Sequence, residues 1–302
     1  MQSYDDFEIV VIDDGSSDDS FLILNGFSSP KMRVLQNDKN RGLIYTLNRG
    51  IAEARGELVA RMDADDISNP DRLEKQVAFL DANPDVAMVG SLAEEIDSNG
   101  VSLGIVSYPL EYEEIQQTLI KRSCFCHPSV MFRKNDVLTV GGYRDKFRHA
   151  EDYDLWLRLS ESHRLANIGE LLIKYRIHAN QVCFKSQSSQ FQAGQLAIAE
   201  ALERRGIPPG ERHKYFHSLF GRASASPGTI GRNYINFAHT FNMMGDIRKA
   251  WRSAALSVLH SPVSVDAWRA FLSYTLLGLL GKKNVNIIKW YFERTKQMFM
   301  RN

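Results

Sequence analysis

The chain has 302 residues, 44% of them hydrophobic, and a formal net charge of +1. That length supports one large core with a smaller second unit, and the near-neutral balance leaves no electrostatic footprint for nucleic acid or a strongly acidic partner. Cys124, Cys126 and Cys183 form an odd set without a paired C-x-x-C grid, which argues for a reducing compartment and against a disulfide framework or structural zinc. The start carries no signal-peptide pattern and no run of 18 apolar residues occurs, so the expected location is the cytoplasm.

Residues 7–12 are β-branched and mostly apolar, as in a central parallel strand, and they end at Asp13-Asp14-Gly15-Ser16-Ser17-Asp18. Ser16, Ser17 and Asp18 are natural caps for a helix running to Leu24. Backbone N–H groups and two carboxylates would then face the crevice beyond the strand ends, although a plain strand-to-helix turn fits equally well. Residues 32–36 make a second strand. Asn40-Arg41-Gly42-Leu43 opens an amphipathic helix with Leu43, Leu47, Ile51 and Ala54 at helical spacing, stopped by Gly56. Gly56 to Val59 reads as a buried strand that delivers Asp63-Ala64-Asp65-Asp66 to its tip. Ligands of open α/β sheets lie beyond the carboxyl ends of the strands, and a hard divalent cation there takes carboxylates, water and substrate phosphates. The plainer reading is a solvated helix-capping loop before Ile67-Ser68-Asn69-Pro70.

Further on, a helix is expected over 71–83, a strand over 86–91, a turn at Asp97-Ser98-Asn99-Gly100 between short strands, and a helix over 111–121. Residues 124–133 read as a strand introduced by His127-Pro128. Gly141-Gly142-Tyr143-Arg144 forms a turn leading to His149-Ala150-Glu151-Asp152. A helix over 153–159 follows, with Leu155, Trp156 and Leu159 on one face. Two carboxylates at that helix start complement the macrodipole whatever else they do. Residues 170–178 read as the last strand of an alternating α/β unit.

Four of these stretches, Val11-Ile12-Asp13-Asp14-Gly15-Ser16, Asn40-x-Gly42, Met62-Asp63-Ala64-Asp65-Asp66 and Glu151-Asp152-Tyr153-Asp154-Leu155-Trp156-Leu157-Arg158, occur in the order of the signatures of family 2 glycosyltransferases, which the chain resembles over about 7–180. The resemblance implies a GT-A fold over 1–182: a mixed, mainly parallel sheet with flanking helices, followed by an all-α region over 186–302. It also implies a leading strand, loop and helix ahead of Asp13-Asp14; their absence from this sequence would leave part of the donor pocket unmade. By the same resemblance Asp13, Asp14, Arg41, Asp63 and Ala64 hold the nucleotide sugar. Asp65 and Asp63, with His178 as a further ligand, hold a divalent cation, Mn²⁺ or Mg²⁺. Asp152 is the general base with Glu151 in support, and His127 and Arg144 lie on the acceptor side. His127 before proline also reads as structural, and His178 also reads as a surface residue.

From about Ser186 helical periodicity dominates, with candidate helices at 191–204, 215–223, 231–244, 247–259, 265–280 and 287–299. Residues 234–262 resemble one tetratricopeptide-like pair, a packing or docking element. The basic aromatic segment 287–299 suits either internal packing or peripheral contact with the inner face of a membrane. The function expected is an inverting transferase that moves a sugar from a nucleotide-diphosphate donor, UDP foremost, to a hydroxyl of a saccharide or lipid-linked acceptor in cell-surface polysaccharide synthesis. The alternative is an inactive, truncated GT-A protein serving as an interaction module.

Overall fold

The structure is a computed structural model that describes residues 2–27, 29–177, 187–209, 211–212, 215, 247–260 and 265–280. The first part runs β1 (Ile9–Asp13), α1 (Ser20–Gly26), β2 (Met32–Gln36), α2 (Leu43–Glu53), β3 (Leu58–Ala60), β4 (Ile67–Ser68), α3 (Arg72–Ala82), β5 (Val86–Ile96) and β6 (Ser102–Val106). It continues through α4 (Tyr112–Leu119), β7 (Met131–Arg133), α5 (Lys134–Thr139), α6 (Glu151–Leu159), β8 (Arg164–Arg176) and α7 (Gln187–Arg204). Later come α8 (Ile247–His260) and α9 (Val265–Leu280).

The mixed α/β architecture expected from the alternation is present. Among the described residues the strands form two sheets rather than one: β1 pairs with β2 in parallel, while β3, β7, β5, β8 and β4 lie side by side in that order, with β6 on β5. The longest ladder is the parallel one between β5 and β8, and β7, β3 and β4 join through short antiparallel ladders. Val86-Ala87-Met88-Val89 is buried throughout, as a strand covered on both faces must be. On one face Leu73, Val77 and Leu80 of α3 follow helical spacing and pack with Val86, Val89 and Met131. Each such side chain contributes about 1.5–3 kcal/mol on burial.

Three local expectations shift. In α2 the buried positions are Ile44 and Ile51, while Leu43 is exposed. Gly42, at φ 87°, turns the chain into the helix so that Leu43 faces outward at its first position. Residues 124–133 are not one strand: His127–Ser129 is a 3₁₀ turn and β7 covers only Met131–Arg133. Pro128 has no N–H for a ladder and fixes its own φ. Finally, α6 is not one-faced, since every residue from Tyr153 to Leu159 is buried.

A helix buried all round has to pair its charges internally. Asp154, fully buried, accepts a fork from Arg144 (3.0 and 2.5 Å) and two bonds from Arg158 (3.0 and 2.7 Å). Arg158 also donates to the Gly142 carbonyl at 2.6 Å and to that of Val140. Arg144 reaches Glu200 on α7 at 3.2 Å, and Lys146 pairs with the same carboxylate. The chain divides into compact units at Met1–Leu219 and Phe220–Asn302, so α7, which the sequence puts at the head of the helical region, lies within the first unit. In the second unit α8 and α9 pack through Ala250, Ala254, Ala270 and Tyr274, with Trp251 Nε1 donating to Thr275 Oγ1 at 3.0 Å. The expected helices at 231–244 and 287–299, and all of 215–223 except Tyr215, lie outside the described residues, as does the first half of the tetratricopeptide-like pair. Among the described residues no helix is long and apolar enough to cross a membrane.

Asp154→Ala leaves two arginines without their shared carboxylate, one of them buried. Removing one partner of a buried pair costs about 3–5 kcal/mol. Urea unfolding of the variant is expected to show a loss of that size, with the nearby Asp145→Ala, on an exposed carboxylate, near neutral.

Candidate active site

Three segments are drawn to one point by a polar spine in the core. Arg72, 1% exposed, donates to the Arg61 carbonyl (2.8 Å), the Val130 carbonyl (3.3 Å) and Gln76 Oε1 (3.0 Å). Gln76 in turn donates to the carbonyls of Ser129 (2.7 Å) and Val89 (3.3 Å), and the Arg61 N–H donates to Val130 (2.9 Å). Burial pushes the Arg72 guanidinium down to about 10, so it stays charged at neutral pH. The loop after β3 is thereby stitched to the His127–Ser129 turn, and with the start of α6 they border a cavity of about 960 Å³.

At that cavity Arg61, 8% exposed, forks onto Asp63 at 2.5 and 2.6 Å. Asp65 is exposed and lines the cavity beside Asp63, whereas Ala64 is exposed away from the lining. Asp66 turns inward: one oxygen accepts the Arg176 N–H at 2.8 Å, and the other is buried with no hydrogen-bond partner. Burial, reinforced by the charges of Asp63 and Asp65, pushes its carboxyl up to about 6. Arg176 fastens the loop from behind, donating to the Asp65 carbonyl at 2.8 Å.

Glu151 and Asp152 border the same cavity from the first turn of α6. Asp152 is pushed up to about 6, first by burial and then by the neighbouring charge of Glu151, with its Oδ1 accepting the Tyr153 N–H at 2.7 Å. Glu151 is also raised by burial. His127 lines the cavity with Nε2 at 2.9 Å from the Tyr143 hydroxyl and its ring edge-on to Trp156. Burial, then the charge of Arg61, holds its imidazole well below the ordinary histidine value, so it is neutral. Before α6, His149 takes a left-handed backbone, φ 76°, unusual for a side chain with a Cβ and of the kind concentrated at functional sites.

The other sequence-selected residues are placed differently. Arg41 lines the cavity, paired with Asp38 at 2.9 Å and lying over the Tyr45 ring. Asp14 does not line it: its oxygens accept the N–H groups of Arg41 and Gly42 (2.8 Å each) and Asn37 Nδ2 (2.6 Å), so it sets the rim loop. Asp13 is buried, accepting from Ser16 N–H and from Gln36. Arg144 is turned away to Asp154 and Glu200, because the buried Asp154 needs a cation more than the cavity wall does. His178 lies outside the described residues. Sequence reading missed Arg61, Tyr143 and His149; Arg61 stands two residues before Asp63, the one signal that could have drawn attention to it.

Among the described residues no group of three or more His, Cys, Asp or Glu is gathered to hold a metal. Asp63 and Asp65 nevertheless suit Mg²⁺ or Mn²⁺ on a diphosphate, which takes one or two protein carboxylates and fills the rest with water and phosphate oxygens. Asp65 is exposed to the cavity, whereas both oxygens of Asp63 accept from the Arg61 guanidinium.

A strand-tip acidic loop facing a helix-borne carboxylate pair across one cavity, on a mixed α/β sheet, is the arrangement of a GT-A glycosyltransferase. Residues 1–141 match the profile of Glycosyl transferase family 2. The O-antigen biosynthesis glycosyltransferase WbnJ of Escherichia coli is 35% identical over 218 residues, 68% of this chain and 82% of that protein. The E. coli UDP-Gal:alpha-D-GlcNAc-diphosphoundecaprenol beta-1,3-galactosyltransferase is 33% identical over 172 residues, 56% of this chain and 62% of that one. A solved mannosyltransferase, PcManGT from Pyrobaculum calidifontis in complex with GDP-Man and Mn²⁺, shares the fold with a TM-score of 0.52 at 17% identity, covering 95% of this chain and 76% of its own. The chain belongs to glycosyltransferase family 2 and is a glycosyltransferase.

Asp14→Ala removes the acceptor of two rim N–H groups while leaving β1 in place. Amide hydrogen exchange at Arg41 and Gly42 is expected to speed up by more than tenfold, with the β5 amides unchanged.

Proposed function

We propose that this glycosyltransferase is inverting and moves a sugar from a UDP-sugar to a hydroxyl of a saccharide or lipid-linked acceptor during synthesis of a cell-surface polysaccharide. The observation that carries this reading is Asp152: a carboxylate fixed at the start of a buried helix, opening into the cavity that Asp65 also lines. The names of the E. coli relatives support the donor and the polysaccharide setting.

In the proposed reaction Asp152 accepts the proton of the acceptor hydroxyl as that oxygen bonds to the anomeric carbon. The bond from that carbon to the diphosphate oxygen breaks, and the electron pair leaves with the nucleotide. Attack from the face opposite the leaving group inverts the centre. Asp65, with Asp63, would hold a divalent cation, which when bound supplies charge neutralisation at the diphosphate. Asp14 braces the Arg41–Gly42 rim for the nucleotide, and Glu151, raised by burial, keeps the Asp152 carboxyl basic through its charge. His127, neutral and fixed by Tyr143, offers the acceptor a hydrogen-bonding wall without a charge.

Asp152→Asn keeps the shape and cannot take the proton, so transfer should fall by about 10² to 10⁴. Calorimetric affinity for the nucleotide should stay within twofold. Near-normal transfer would retire the base assignment, and lost nucleotide binding would move Asp152 to the donor side. Because Asp152 must be ionised and its carboxyl is raised to about 6, the rate in the unmutated enzyme should fall as pH drops through about 6. A profile flat from pH 7 to about 5 counts against it.

Asp65→Ala, on an exposed loop, is expected to abolish divalent-dependent donor turnover and Mn²⁺-dependent nucleotide binding while leaving the thermal midpoint unchanged. Equal turnover of the unmutated enzyme with and without a chelator would sink the metal role.

A further inference from the structure

His127 and Tyr143 belong to different segments and meet through one hydrogen bond, between His127 Nε2 and the Tyr143 hydroxyl at 2.9 Å, with their rings tilted and 5.6 Å apart. Tyr143 is 3% exposed and does not line the cavity. Its hydroxyl makes no other hydrogen bond among the described residues, and burial keeps it protonated. A buried hydroxyl with one partner spends its proton on that partner, because accepting a proton from the ring would leave its own without an acceptor in a dry place. The imidazole is neutral and so has a single N–H to place. Its second nitrogen, Nδ1, makes no hydrogen bond among the described residues and is not a buried, unpartnered atom, and His127 lines the cavity.

Tyr143 has little freedom to turn elsewhere. Its N–H donates to Asn48 Oδ1 at 2.9 Å and its carbonyl accepts from Asn48 Nδ2 at 2.8 Å, so one side chain of α2, 95 positions away, grips the residue on both sides. The preceding Gly142, at φ 61°, packs so closely that a Cβ there would lie 2.7 Å from Asn48 Oδ1. The His127 ring also stands edge-on to the fully buried Trp156 at 5.8 Å. The first turn of α2 borders the cavity through Leu43 and Ile44.

We propose that Tyr143 is a positioning residue that fixes His127 as its Nδ1–H tautomer, so that the imidazole offers the acceptor saccharide a proton donor for the lone pair of an oxygen beside the attacking hydroxyl. Asn48 keeps that donor in register with α2. This rests on the reading in which the saccharide lies against His127. Two consequences follow from the chemistry of the N–H. It cannot take a proton, so Asp152 has no rival as base; the other tautomer would put a second basic lone pair into the same cavity. It also selects saccharides that carry a hydroxyl or amide oxygen at that position, because a deoxy sugar would leave the N–H without a partner.

The experiment uses the full chain with isotope-labelled histidine, unmutated or carrying Tyr143→Phe, Asn48→Ala or His127→Gln, the last to assign the His127 signals. Nitrogen–proton correlation spectra near neutral pH read which ring nitrogen holds the proton. The unmutated protein should show a protonated Nδ1 and a bare Nε2. Tyr143→Phe removes the donor to Nε2 and should move the proton there in most molecules, while Asn48→Ala, which keeps the hydroxyl but loosens its backbone, should give a mixture. Transfer is measured to decyl glycosides of hexoses and N-acetylhexosamines. Tyr143→Phe should raise the acceptor KM about fivefold, the worth of one hydrogen bond, with kcat within about twofold. A bare Nδ1 in the unmutated protein overturns the proposal, as does one and the same tautomer with and without the Tyr143 hydroxyl. A fall in kcat at constant KM overturns the contact with the saccharide. If no glycoside of the panel is a substrate, or if Tyr143→Phe does not fold, the tautomer in the unmutated protein decides alone. Asp152→Asn separates the two levels: normal transfer in that variant removes the base reading and leaves the tautomer standing, while a bare Nδ1 beside lost transfer there removes only the role of Tyr143.

Discussion

The site depends on a buried arginine that meets no substrate. Arg72 spends its guanidinium on backbone carbonyls from two different segments, and Gln76, one helical turn on, does the same with two more. Neither segment has a long ladder of its own. β3 has three residues and β7 has three, too few to set a loop with the accuracy that chemistry requires. α3 supplies what the sheet lacks: its apolar side is locked into the core by Leu80, and its polar side reaches past the strand ends to hold Arg61 and Ser129 at fixed separation. A charge without a carboxylate partner is costly to bury, and here the cost is offset by hydrogen bonds to carbonyls that would otherwise be unpaired in a dry place.

The same economy of charge explains how the carboxylates divide. Asp13 and Asp14 sit side by side in sequence, yet both are engaged by backbone and amide donors and act on loop shape. Asp65 is exposed to the cavity, and Asp66 is turned into the core with one oxygen unpartnered. In α6, Asp152 opens to the cavity while Asp154, two residues on and so on another face of the helix, is fully buried against two arginines. The acidic motifs thus mix groups that brace the wall from behind with groups that line the cavity.

Much of this was legible in the sequence because it is local. The strand-then-helix alternation and the strand-tip position of Asp63-Ala64-Asp65 follow from apolar runs and turn residues a few positions long, and Asp152 at a helix start follows from the Leu155/Trp156 spacing. What escaped depends on partners distant in the chain. Arg144 reads as an acceptor-side residue after a Gly-Gly turn, whereas its guanidinium is bonded to the buried Asp154. Leu43 fits a helical stripe, but at the first position after Gly42 it faces outward, and the buried residues of the helix are Ile44 and Ile51. Arg61 and His149 carry no pattern: the first is defined by a partner two residues away and a carbonyl clamp eleven residues on, the second by a backbone angle. The split into two sheets is equally silent, since strand signals do not say which strands pair.

The tie between α6 and α7 bears on how such a chain can be rearranged by recombination. Asp154 shares Arg144 with Glu200, Arg204 pairs with Glu161 just past the end of α6, and Gly194 lies where a side chain would touch the Tyr153 ring. A crossover just after β8, where the sheet ends and a module border looks natural, would part these charges and leave Tyr153 facing a foreign helix. Exchangeable pieces of this chain therefore have to carry α7 along with the sheet. The helix that braces α6 is thus inherited together with the carboxylate pair at the start of α6.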